Sequence, residues 1–119
     1  MSLGNLAKEI HCIAIEKGWY DNPKSENEFI ESACNNLHDE VSELHEAWRN
    51  NKLFELCDKA EKMKEIGISP LTCIEEEFAD IIIRVLDDCQ HLNIDIEKAV
   101  YSKIEYNKTR PYRHGGKRS

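Results

Sequence analysis

An all-α fold is what this sequence predicts: four main helices plus a short connecting helix, packed as a helical bundle. Three observations carry it. Apolar residues recur at i, i+3, i+4 and i+7 along most of the chain. No stretch alternates apolar and polar residues as a half-buried strand would. Capping residues and turn formers fall at the ends of the periodic runs. The 119 residues, 40 % hydrophobic and 33 % charged, suit a single domain spanning 1–119 and are too apolar for a disordered chain.

Leu6, Ile10, Ile13 and Ile15 define a first helix that ends before Gly18. Residues 1–4 are set aside as an appended remnant. Asp21-Asn22-Pro23 reads as a turn. Ser25 with Glu28 three residues on forms a capping box, opening a long helix marked by Phe29, Ile30, Ala33, Leu37, Val41, Leu44 and Trp48 and breaking near Asn50-Asn51. Residues 53–65 predict a short helix, closed by Gly67 to Pro70. Thr72 or Ser69 caps the next helix, whose wide apolar stripe runs through Ile74, Phe78, Ile81, Ile82, Val85, Leu86 and Cys89 to about Leu92. Asn93 or Asp95 starts a last helix through Ile96, Val100 and Ile104, ending before Pro111. From about residue 112 a basic tail is expected to be flexible.

Charge and cysteine usage narrow the function classes. The net charge is −7, but residues 103–119 hold six Lys/Arg and one Glu, leaving ten basic against 22 acidic residues elsewhere. An acidic body argues against a nucleic-acid surface there; it fits cations held by the body and anions by the tail, or a solvated acidic face with a loose tail. No apolar run approaches the roughly 18 residues a membrane span needs, and MSLGNLAKEI lacks a secretory pattern. Five dispersed cysteines without a CxxC read as reduced packing thiols in a cytoplasmic protein.

Two acidic pairs carry the chemistry. EVSEL places Glu40 and Glu43 around Val41, and EEEFADII places Glu77 and Asp80 around Phe78. At about 100° per residue, Glu40 and Glu77 each lie near −100° from the adjacent apolar residue, and Glu43 and Asp80 near −160°. Both pairs thus occupy the same flank of their apolar stripes. If the stripes pack antiparallel, four carboxylates converge. Two like charges about 4 Å apart repel by roughly 4 kcal/mol at an effective dielectric near 20, a cost that a divalent ion reverses. Hard oxygen donors suit Mg2+ or Mn2+. No Glu-x-x-His is present, which excludes the usual di-iron bundle. A solvated face with i,i+4 partners is the alternative.

HCIAIEKGWYD, LHDEVSELHEAWR, EEEFADIIIRVLD and KIEYNKTRPYRHGGK resemble, in order, segments of the MazG-like all-α nucleoside-triphosphate pyrophosphatases. The four segments cover roughly half the chain. The resemblance implies hydrolysis of a nucleoside triphosphate to monophosphate and pyrophosphate with Mg2+ on Glu40, Glu43, Glu77 and Asp80. It also implies phosphate contacts from Lys103, Asn107 and Arg110, less directly Lys108, and a homodimer or dimer of dimers. Asp39 stands where many members have Glu, and residues 50–70 have no counterpart, leaving the base undefined. Arg84, one turn after Asp80, faces either a phosphate or an acidic neighbour, Asp80 or Asp88. Trp19, after Gly18, is placed to stack on a base, whereas Trp48 is assigned to the core. A non-catalytic nucleotide-binding or oligomerisation module is the competing reading.

Overall fold

The computed structural model of the chain describes residues 2–112; the expected basic tail therefore lies almost wholly outside the described residues. Five helices follow in order: α1 (Leu3–Glu16), α2 (Glu26–Arg49), α3 (Ala60–Glu65), α4 (Cys73–His91) and α5 (Ile96–Lys108). Among the described residues there is no strand, only one antiparallel bridge between Leu56 and Thr72. No helix is long and apolar enough to cross a membrane.

Local chemistry fixes the helix starts. Ser25 and Thr72 each build a complete capping box, with Glu28 and Glu75. Asp95 caps α5 through Lys98 N–H, while Asn93 takes a positive φ of 59° in the turn before it. Ser2 caps α1 through Asn5 N–H, and Gly4 N–H donates to Glu97 Oε1 at 3.0 Å. Residues 2–4 are therefore part of the fold. Residues 53–59 are turns rather than helix: Cys57 N–H bonds Leu71 O, and Cys73 and Ile74 N–H bond Glu55 and Leu53 O. These long-range backbone bonds hold the α2–α4 connection against the start of α4 and replace the helical turns that the sequence predicts there.

α4 packs between α1 and α2. α2 runs antiparallel to it: Phe29 meets His91 at the C-terminal end, and Glu43 lies beside Glu77 towards the N-terminal end; from α1, His11 meets Asp87. Ala7 and Ala14, the most buried residues of α1, let that helix approach α4 closely. Gly18 (φ 84°) then reverses the chain; a Cβ there would come within 2.9 Å of Asp21 Oδ2.

The core is thin. Its buried apolar residues are Ala7, Ala14, Cys57, Ala60 and Leu86. The stripes of α2 and α4 do not close on each other. Val41, Trp48, Phe78 and Ile82 are 50–59 % exposed and open onto one shared face. Trp48 is thus a surface residue, stacked on His45 at 5.5 Å, and not a core residue. Cys57 is buried, whereas Cys12 and Cys34 are exposed, so the packing role expected of the thiols holds for only part of the set.

Candidate metal centre and adjoining cavity

The capping boxes of α2 and α4 set the phase of both helices, and the antiparallel packing brings the two acidic flanks together. Glu40, Glu43 and Glu77 each offer a carboxylate oxygen, all within 4.8 Å of one another. Glu40 is 8 % exposed. Asp80 lies outside that closest group but lines the same pocket as Glu43, Glu76 and Glu77, a space of about 440 Å3.

The cluster carries the electrostatic signature of crowded like charge. Burial, then Glu43, Asp80 and two further acids push the Glu77 carboxyl up to about 7. Burial, then Glu40, raise Glu43. Burial, then Glu40 and Glu76, raise Asp80, opposed by Lys59 and Arg84. Glu40 Oε2 and Glu77 Oε2 are closed off from solvent and have no hydrogen-bond partner. Orphaned acceptors of this kind cost free energy unless a donor or cation reaches them. Oxygen-only donors at this spacing fit a hard divalent cation of the Mg2+ or Mn2+ type.

Two sources of positive charge reach the cluster. Arg84 Nε donates to Glu40 Oε1 at 3.1 Å; its acidic partner thus comes from α2 and is neither Asp80 nor Asp88. Lys59 donates to Glu76 Oε1 at 3.0 Å and lines the acidic pocket with Lys52. Both lysines come from the α2–α4 connection. Sequence reasoning missed them, because only the long-range backbone bonds of residues 53–59 bring that segment over α4.

Beyond Arg84 lies a second cavity, of about 350 Å3, between the α1–α2 connection and α4. Trp19 is 61 % exposed and its ring centre stands 6.0 Å from the Arg84 guanidinium carbon. Tyr20, Phe29 and His91 stack in series behind it, with Tyr20–His91 at 4.6 Å and Phe29–His91 at 4.2 Å. Asp87, 6 % exposed, fixes this wall: it accepts from Tyr20 OH at 2.8 Å and from His11 Nδ1 at 2.8 Å. Burial and the bond to Asp87 push the Tyr20 hydroxyl well above its ordinary range. Asp88 also lines the cavity. Burial, then Asp87, push its carboxyl up to about 6, against the pull of Arg84. At the sequence level Asp87 went unassigned and Asp88 was considered only as a partner for Arg84. The signal was there: Asp87 lies seven residues after Asp80, on the same side of α4.

Lys103, Asn107 and Arg110 sit elsewhere. They are exposed on and just after α5, which touches α1 and α4. Lys103 Nζ lies over the Tyr106 ring at 4.9 Å, and Lys108 pairs with Glu105 at 2.9 Å. Among the described residues no hydrogen bond or ion pair joins α5 to the acidic cluster. No family model, curated protein or solved structure matches the chain.

Proposed function

We propose that the protein is a Mg2+-dependent nucleoside-triphosphate pyrophosphohydrolase, working as a homo-oligomer. The observation that carries this reading is the meeting of Glu40, Glu43 and Glu77 within 4.8 Å, with two buried oxygens lacking any partner. A cation held there by those three carboxylates, with Asp80 alongside, supplies positive charge against phosphate oxygens and acidifies water. The chain's own residues do the rest. Lys59 and Lys52 line the pocket where a phosphate chain meets the acids, and Arg84 stands between that pocket and the aromatic cavity beside Trp19. A triphosphate laid across Arg84 puts its phosphates over the carboxylates and its heterocycle against Trp19. Water attacks the α-phosphorus, its proton passes to a carboxylate of the cluster, and the bond to the β-phosphate oxygen breaks to release pyrophosphate.

The open apolar face supports the oligomer. Val41, Leu44, Trp48, Leu53, Ile74 and Phe78 line an apolar groove that a second copy would cover, supplying the apolar burial one protomer lacks. In that assembly the basic residues of α5 have a partner's acidic pocket to serve. The test is direct. Nucleoside triphosphates with Mg2+ yield monophosphate and pyrophosphate, and Glu40→Gln lowers turnover by about 100-fold or more with helix content unchanged. Orthophosphate as the product, or no turnover with any triphosphate, refutes the reaction. Absence of any Mg2+-dependent thermal shift refutes the metal centre as well.

A further inference from the structure

The cavity beside Trp19 contains a polar group that nothing in the chain satisfies. Asp87 and Asp88 are neighbours on α4, yet their surroundings differ. Both oxygens of Asp87 are taken, by His11 and Tyr20. Asp88 lines the cavity and its carboxylate enters no hydrogen bond among the described residues; its Oδ2 is closed off from solvent, so the other oxygen is the one a ligand can reach. Arg84, one turn earlier and the natural i,i+4 partner, lies near enough to pull on Asp88 but makes its hydrogen bond to Glu40 instead. The remaining walls include flat rings such as Phe29, the Asn36 amide, and Lys24, whose ammonium is engaged with Ser32 Oγ at 3.1 Å rather than with Asp88. A carboxylate with free lone pairs in an aromatic slot selects a flat ligand that brings its own N–H donor.

We propose that Asp88 reads an exocyclic amino group on the heterocycle of the bound nucleotide and so sets base preference. The proposal rests on the nucleotide reading given above and adds the class of base. The chemistry that discriminates is simple. The ring N–H of uracil stands between two carbonyl oxygens and that of hypoxanthine beside one, and their lone pairs repel a carboxylate. Cytosine replaces one of those oxygens with an amino group, and guanine adds an amino group next to its ring N–H. Each therefore offers Asp88 a donor where the oxo analogue offers an acceptor or nothing.

Calorimetric titration without divalent cation tests this on two pairs differing at that group: GMP against IMP, and CMP against UMP. In at least one pair the amino member binds roughly tenfold or more tightly. Asp88→Asn, which presents a donor of the same shape, removes or reverses that preference. Asp88→Leu, which has no polar atom, abolishes it, and the melting curves show that both variants remain folded. Equal affinity within both pairs overturns the proposal, as does a preference unchanged in both variants or no monophosphate binding below about 10 mM. Hydrolysis does not enter the measurement. A missing reaction would leave the binding preference standing, and a missing preference would leave the reaction standing.

Discussion

Replacing Glu77 with glutamine keeps the side-chain shape and removes one charge from the cluster. In metal-free protein that charge is a liability. The folded-state carboxyl is raised from 4.5 to about 7, so the unfolded chain ionises first as pH rises, and the fold loses stability between those values. Below about pH 4.5 the group is protonated in both states and the loss vanishes; above about pH 7 it is complete. At about 1.4 kcal/mol per unit the ceiling is about 3 kcal/mol. The pocket opens to solvent and salt screens it, which brings the expected gain to about 1–2 kcal/mol. Glu77→Gln should therefore raise the melting temperature in chelator at about pH 8 by roughly 4–8 °C, and the gain should shrink towards zero at about pH 4.5. Added Mg2+ should stabilise the natural protein more than the variant, reversing the order at high concentration. Thermal denaturation across pH, with and without Mg2+, measures all of this. A variant that is neutral or destabilised at pH 8, or whose advantage persists unchanged in acid, would show that the carboxylates do not repel one another as their placement requires.

Other outcomes follow from the same geometry. Arg84→Met removes the cation that occupies Glu40 and should tighten Mg2+ binding in the absence of nucleotide by roughly 3- to 10-fold, read by calorimetry; unchanged or weaker binding would mean that the guanidinium does not compete. Phe78→Glu, on a side chain 50 % exposed in the protomer, should leave the helices intact and lower the sedimentation mass to that of one chain; an unchanged mass would free the α2–α4 face from any role in assembly. Asp87→Asn removes one charged acceptor beneath Tyr20 and His11 and should cost about 1–3 kcal/mol in denaturant unfolding, with full stability at this position counting against a structural role.

Helix type and most ends were legible in the residues because they are written locally. The two capping boxes lie within four-residue windows, and Ser25/Glu28 is read directly from the sequence. The acidic flanks were legible for a related reason: the phase of Glu40 against Val41 and of Glu77 against Phe78 depends only on helical rise and twist. Three features were not local. The 53–59 segment folds on backbone bonds to Leu71, Cys73 and Ile74, some 14 to 21 residues away, so its helical periodicity was overridden and its lysines were missed. Arg84 had acidic neighbours on its own helix, and periodicity could not reveal that Glu40 of α2 would take it. Trp48 lies on an apolar stripe, which marks a residue for burial but does not say whether the covering surface belongs to the same chain.

Arg84 touches both compartments of the molecule, bonded to Glu40 on one side and facing the Trp19 ring on the other. A cation bound at the carboxylates would compete with that guanidinium for Glu40, and a flat ligand bound beside the indole would meet the same side chain. Thermodynamic reciprocity then makes whatever the first does to the affinity for the second equal to what the second does to the first. Binding at the carboxylate cluster and binding in the aromatic cavity would thus form one linked equilibrium, hinged on a single side chain.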